Sequence, residues 1–183
     1  MKTKVWLIWG LVLAGCLNDA RPSTESRFKV GEKLESFALK AAYGAPKTGA
    51  FLSLRDYWKG GDIPKKAVLL SFFATYCGPC KKEMPFLAAL QQVYGHKGLQ
   101  ILLITIDKAA DKRAEAVRLA KENGVTFPVL SDRFNIVARR YSIEKLPCIY
   151  LSDSEGIVRF SEVGYSGNVT QTIHRQILTV LGE

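Results

Sequence analysis

The sequence predicts an α/β domain: a mixed central sheet flanked by helices, with a β-hairpin added at its N-terminal side. Three observations carry that expectation. Two apolar runs, 67–73 and 99–107, are rich in β-branched and aromatic residues and read as buried strands. A helical pattern lies between them, which makes them parallel neighbours in one sheet. The C-terminal third reads as two strands around a turn and then an amphipathic helix, so the sheet is mixed. With 48% hydrophobic residues, 183 residues suffice for the core of one domain.

In chain order, Met1-Lys2-Thr3-Lys4 is a basic start, 5–13 is apolar, and Leu13-Ala14-Gly15-Cys16 closes the segment with small residues. That is the form of an export signal over 1–15, and it is well short of the ~20 apolar residues of a spanning helix. Residues 16–27, with Asn18, Pro22, Ser23, Thr24 and Ser26, read as a flexible tether, and 28–183 as the domain. Phe37 and Leu39 pair with Phe51 and Leu52 across a loop holding Gly44, Pro46 and Gly49. Ser53 caps a short helix over 54–58. The strand 67–73 runs into Cys77-Gly78-Pro79-Cys80, and a helix follows at once, with Met84, Leu87, Leu90 and Gln91 three or four residues apart. After the strand 99–107, Asp111 starts a helix carrying Ala114, Val117, Leu119 and Ala120, ending near Asn123-Gly124. An extended piece over 125–130 and a short helix over 134–141 come next. Strands 147–152 and 157–162 flank the turn Asp153-Ser154-Glu155-Gly156, and a helix over 169–181 puts Ile173, Ile177, Leu178 and Leu181 on one face. No internal repeat is present.

The chemistry concentrates at Cys77 and Cys80. The unpaired N–H groups and the positive dipole end of a helix N-terminus stabilise an anion. Such placement lowers a cysteine pKa from ~8.5 into a range of about 3.5–7.5. Pro79 falls in the first helical turn, where its missing N–H costs nothing. A zinc site would need a second Cys or His pair, but Cys16 and Cys148 stand alone and His96 is far from His174. A purely structural disulfide would close too small a loop to stabilise much. Both histidines read as surface residues. The net charge of +9 reads first as a solvated basic face, with attraction to an anionic lipid or an acidic partner as the alternative, and no basic stretch is interleaved with aromatics as nucleic-acid binding requires.

Tyr76-Cys77-Gly78-Pro79-Cys80-Lys81, with Pro85 five residues after the second cysteine, resembles the active site of thioredoxin, Tyr76 replacing the usual tryptophan. Cys80-Lys81-Lys82-Glu83-Met84-Pro85 narrows the resemblance to the extracytoplasmic thiol–disulfide oxidoreductases of the TlpA/ResA type, from about Phe28 to the C-terminus. The resemblance implies a thioredoxin fold in which Leu146-Pro147 is a cis bond facing the dithiol, with Leu146 offering backbone hydrogen bonds to a substrate chain. It also implies that Tyr76, Gly78 and Pro79 border the substrate. Glu83 matches a glutamate assigned to the active site in relatives. It lies one helical turn beyond Cys80, where a carboxylate can take that thiol's proton. Ser71 stands where thioredoxin has a buried aspartate, which leaves Glu83 as the proton carrier. A solvated carboxylate is the alternative for Glu83, as for most glutamates.

Leu13-Ala14-Gly15-Cys16 resembles a bacterial lipobox, which implies acylation of Cys16 and a domain tethered outside the cytoplasm; an ordinary export signal with a free Cys16 is the alternative, and the domain is expected to be a monomer. Gly78-Pro79 between the cysteines is the thioredoxin dipeptide, whose potential of about −270 mV favours reduction of protein disulfides. The resemblance further implies recharging by a membrane donor of the CcdA/DsbD kind and, as one substrate, apocytochrome c. No cofactor and no metal are expected. Two other readings stay open. One is a Cu(I) chaperone of Sco-like type using Cys77, Cys80 and Cys148, although Sco proteins space their cysteines one residue wider. The other is a peroxiredoxin-like peroxidase, which wants a threonine where Ala74 stands.

Overall fold

The computed structural model describes residues 26–45 and 49–183. The segment 1–15, Cys16 and all but the end of the 16–27 tether lie outside the described residues. The described residues form a seven-stranded sheet. Its strands are β1 (Ala38–Tyr43), β2 (Phe51–Ser53), β3 (Ala67–Phe73), β4 (Leu99–Thr105), β5 (Val129–Ser131), β6 (Cys148–Asp153) and β7 (Val158–Val163), in the order β2-β1-β5-β4-β3-β6-β7. Pairs β3–β4 and β4–β5 are parallel and the rest antiparallel, as the alternation of elements requires. The helices are α1 (Gly78–Tyr94), α2 (Ala110–Glu122), α3 (Ile136–Arg140) and α4 (Val169–Leu181).

All seven residues of β3 are buried, because helices or loops cover both of its faces. Alternate side chains therefore serve two cores. Leu69 and Phe73 meet Met84 and Leu87 of α1, Ala116 and Ala120 of α2, and Ile173 and Ile177 of α4. Val68, Leu70 and Phe72 face the other way, against Val137 of α3 and an aromatic cluster. In that cluster the Tyr141 ring is edge-on to Phe28, Phe37 and Tyr150, at centroid separations of 4.9, 5.8 and 5.6 Å. Such contacts add about 0.5–1.5 kcal/mol each beyond area burial.

The expected hairpin forms with Leu39 opposite Leu52, but Phe51 faces Lys40, and Phe37 lies before β1 and outside the ladder. The hairpin is not a free appendage: β1 also pairs antiparallel with β5 and extends the main sheet. Ser53 caps its helical turn as expected, its Oγ accepting the Arg55 N–H at 3.3 Å, though the turn is a 3₁₀ helix over Leu54–Tyr57. Several boundaries differ from the sequence reading. Helix α2 starts at Ala110, so Asp111 meets the helix dipole from inside the first turn and does not cap it. Within 125–130 only the end pairs, as β5, while Val125 and Phe127 bury their side chains outside any ladder. Helix α3 is confined to Ile136–Arg140 because the Asp132 carboxylate takes the Ile136 and Ala138 N–H groups at 2.9 and 2.7 Å.

Candidate active site

The site is assembled where β3 ends. After Phe73 the chain turns through Ala74-Thr75-Tyr76 and enters α1, with Cys77 as the N-cap residue. The Cys77 Sγ accepts the Cys80 N–H at 3.2 Å, filling the acceptor position that a serine or aspartate oxygen takes at other helix starts. The two sulfurs are bonded to each other in this structure. Cys80 is 2% exposed and Cys77 6%, whereas Tyr76 stands 77% exposed and Gly78 and Pro79 are exposed beside it. Of the pair, Cys77 is the sulfur an incoming group reaches more readily.

The turn before Cys77 is held by a buried carboxylate that sequence reading took only as the end of a strand. Asp107 accepts the Thr75 N–H and the Thr75 hydroxyl, both at 3.0 Å, and the Thr105 hydroxyl at 2.8 Å. It is 6% exposed. Strand β4 stops at Thr105 so that Asp107 can reach sideways to the neighbouring loop. A buried acid just past an apolar strand was the available signal, since such a group has to find partners.

Glu83 is buried, not solvated. It is 1% exposed on the face of α1 that carries Cys80 and Met84 into the core. Ser71 of β3 donates to its Oε2 at 3.4 Å, and Oε1 has no partner. Burial outweighs the Ser71 hydrogen bond and pushes the Glu83 carboxyl up to about 7. The sequence linked Ser71 to Glu83 only through the missing aspartate; the structure puts the two side chains in contact. The carboxylate that thioredoxin carries on the strand is replaced by one that reaches the same strand position from the helix.

Leu146-Pro147 is a cis peptide bond. The antiparallel pairing of Phe72 with Cys148 brings this loop to the end of the sheet from which Thr75 and Tyr76 emerge. The Pro147 carbonyl accepts the Gly164 N–H at 2.7 Å, while the backbone of Leu146 has no hydrogen bond among the described residues. Cys148 turns away: it is buried with Tyr150 in the aromatic core, whereas Cys77 and Cys80 belong to the core on the other face. Burial pushes its thiol up to about 12, well above the ordinary cysteine range, which favours the protonated form at neutral pH. The surface reading holds for His96, which is exposed. It fails for His174, a half-buried ring on α4 whose Nε2 shares a hydrogen bond of 2.7 Å with the Tyr94 hydroxyl of α1.

The matches to known proteins agree with this geometry. The thiol–disulfide oxidoreductase ResA of Geobacillus kaustophilus is 33% identical over 98 residues, 54% of this chain and 55% of that protein. The chain thus spans about half the length of that relative. The thioredoxin-like protein YneN of Bacillus subtilis is 33% identical over 134 residues, 73% of this chain and 71% of that protein. Among solved structures, a Chlorobium tepidum protein provisionally assigned as the thiol:disulfide interchange protein DsbE superposes with a TM-score of 0.72. It is 28% identical, and the match covers 85% of this chain and 99% of that one. The family match runs over residues 30–161 and so takes in Asp107, Pro147 and the helix entry bearing Cys77, Cys80 and Glu83: the chain belongs to the AhpC/TSA family and has its thioredoxin-like fold.

Proposed function

We propose that the chain is an extracytoplasmic thiol–disulfide oxidoreductase that reduces disulfides in other proteins. The observation that carries this is a Cys77–Cys80 pair at the N-terminus of α1, with a proton-holding carboxyl buried one turn below it. In the reduced protein, the Cys77 thiolate attacks one sulfur of a substrate disulfide and expels the other as a thiolate. The resulting mixed disulfide joins Cys77 to the substrate. Cys80 then gives its proton to the Glu83 carboxylate and attacks the Cys77 sulfur, which releases the second substrate thiol. Two electrons pass to the substrate, and Cys77–Cys80 is left bonded as observed here. Tyr76, Gly78 and Pro79 border the exposed sulfur, and the unpaired Leu146 backbone suits an extended substrate chain running past it.

The same reading makes 28–183 the catalytic domain, 16–27 its tether and acylated Cys16 its membrane anchor, after removal of 1–15. A membrane donor of the CcdA/DsbD kind restores the dithiol, and apocytochrome c is a suitable substrate because haem attachment needs two free thiols. The test is turnover of insulin disulfides with dithiothreitol as electron source. Cys77→Ser falls to the uncatalysed rate, while Cys80→Ser accumulates mixed disulfides through Cys77. Full activity in Cys77→Ser refutes the mechanism.

A peroxidase is the second reading, favoured by the same helix-terminal thiol and the AhpC/TSA description of the family. Ala74 in place of a threonine opposes it, and a peroxide-consumption assay separates the two. The three-thiol copper site has less in its favour, since Cys148 lies across the sheet from the pair.

A further inference from the structure

A groove of about 690 Å³ runs along β1 and past the end of β5, between Phe51 of β2, Arg113 of α2 and the segment leading into α3. It takes no part in holding the dithiol. Three large apolar side chains line it while standing open to solvent: Phe51 at 71% exposure, Phe134 at 58% and Ile136 at 50%. Exposed apolar residues gathered in one place mark an interaction surface. The rim is basic. Lys40, Arg113 and Arg133 line the groove, and none has a carboxylate partner among the described residues. Arg113 spends one N–H on the Lys108 carbonyl, and the Arg133 guanidinium lies 4.3 Å above the Phe134 ring, where an acidic group would meet charge and ring together. The acid in the lining, Asp132, is 2% exposed and turned inward to cap α3.

The position matters as much as the lining. Strands β3, β4 and β5 are parallel, so they finish at one end of the sheet. Cys77 follows β3, Arg133 and Phe134 follow β5, and one strand separates them. Strand spacing puts the two exits about 10 Å apart, a distance an extended chain covers in about three residues.

We propose that this groove docks an extended segment of the protein being reduced, one in which carboxylates alternate with an apolar or aromatic side chain. The segment lies about three to six residues from the cysteine that Cys77 attacks. Charge complementarity selects the acidic segment and raises its encounter rate, while the apolar floor holds the alternating side chains. This rests on the dithiol reading only for the role of the docked protein; the groove itself is tested without redox chemistry.

The oxidised protein is titrated with a cysteine-free heptapeptide of alternating glutamate and phenylalanine, and with its lysine counterpart, while backbone amide shifts are followed by NMR. The glutamate peptide is expected to move the amides of Lys40, Arg133 and Phe134, and the lysine peptide to leave them in place. Lys40→Glu with Arg133→Glu should weaken the glutamate peptide by about tenfold. With dithiothreitol as electron source, the same double variant should reduce bis(2-hydroxyethyl) disulfide, a neutral molecule too small to reach the groove, at the wild-type rate. Equal binding of both peptides, or shifts that map elsewhere, would overturn the proposal. So would phosphatidylglycerol vesicles that bind through these residues while the peptide does not, or a dimer that the double variant dissolves. If wild-type protein fails to reduce the small disulfide, the dithiol reading falls and the peptide titration still decides the groove.

Discussion

Replacing Glu83 with glutamine keeps the shape of the protonated side chain and removes its titration, so the variant isolates what ionisation of that group does. The folded carboxyl titrates at about 7 and the unfolded one near 4.5. Below pH 4.5 both states hold the proton and Glu83 costs nothing. Between 4.5 and 7 the unfolded chain releases it while the folded chain keeps it, so stability falls as pH rises; above 7 the loss levels off. At about 1.4 kcal/mol per pH unit across that interval, the full loss is about 3 kcal/mol. Glu83→Gln escapes it. The variant should therefore match wild type near pH 4.5 and exceed it at pH 8 by up to about 3 kcal/mol. With a urea slope of about 1–3 kcal/mol per molar, that moves the midpoint by roughly 1–3 M. The assay is urea unfolding of both oxidised proteins from pH 4.5 to 9, read as a difference so that other titrating groups cancel. A difference that stays constant across this range would show that Glu83 does not titrate there. The same substitution should slow insulin turnover by about a hundredfold, through loss of the base that receives the Cys80 proton, and flatten the pH profile around 7. A variant that is more stable yet slower is the signature of a buried proton carrier.

Three further outcomes can be tested, two drawn from the geometry and one from the sequence around Cys16. Asp107→Asn leaves the Thr75 N–H or hydroxyl without its charged acceptor. It should cost about 1–3 kcal/mol in urea unfolding and lower insulin turnover; a loss under about 0.5 kcal/mol would mean that the loop is held by other contacts. Cys148→Thr should retain turnover and stability close to wild type, because the thiol is buried across the sheet from the pair; a Cys77–Cys148 or Cys80–Cys148 bridge in a peptide map of oxidised protein would contradict this. Cys16→Ala should move the exported protein from the membrane to the soluble fraction or leave its signal uncleaved, and an unmodified Cys16 in mass spectrometry of the mature N-terminus would remove the anchor from the account.

What could be read from the sequence was what local order encodes. The β3–Cys77–α1 passage was legible because an apolar strand, a Cys-Gly-Pro-Cys and a helical stripe follow one another without a gap, and all three appear in place. Helix α4 was legible to the residue because its apolar positions keep a helical period. The boundaries that moved are those decided across the chain. The start of α3 is set by the Asp132 side chain, and the end of β4 by the reach of Asp107 to Thr75, 32 residues earlier. His174 looked like a surface residue because nothing near it in sequence names Tyr94 as its partner. The hairpin pairing was readable from Leu39 and Leu52, yet its attachment to β5 depends on a strand some ninety residues later.

Glu83 combines both kinds of information, and so it is the most instructive residue of the site. Its spacing from Cys80 fixed the side of the helix; only packing decides between water and core, and the two alternatives have opposite chemistry. A solvated carboxylate near 4.5 would be ionised at neutral pH but too weak a base to hold the proton of a thiol. Burial between α1 and β3, with Ser71 as its one donor and Oε1 left without a partner, raises its affinity for that proton. The unsatisfied oxygen is costly to the fold, and in the proposed reaction it is the atom that would take the proton. A serine at the strand position is what makes room for this arrangement. An aspartate there would set two carboxyls against each other in the same core and drive one of them to remain protonated. Replacing Ser71 with aspartate therefore has a definite outcome. The pair should take up one proton between them at neutral pH, split the pH profile of turnover into two steps, and destabilise the domain most at high pH, where both would have to ionise. A single unshifted step in that profile would mean that the two side chains do not share a site.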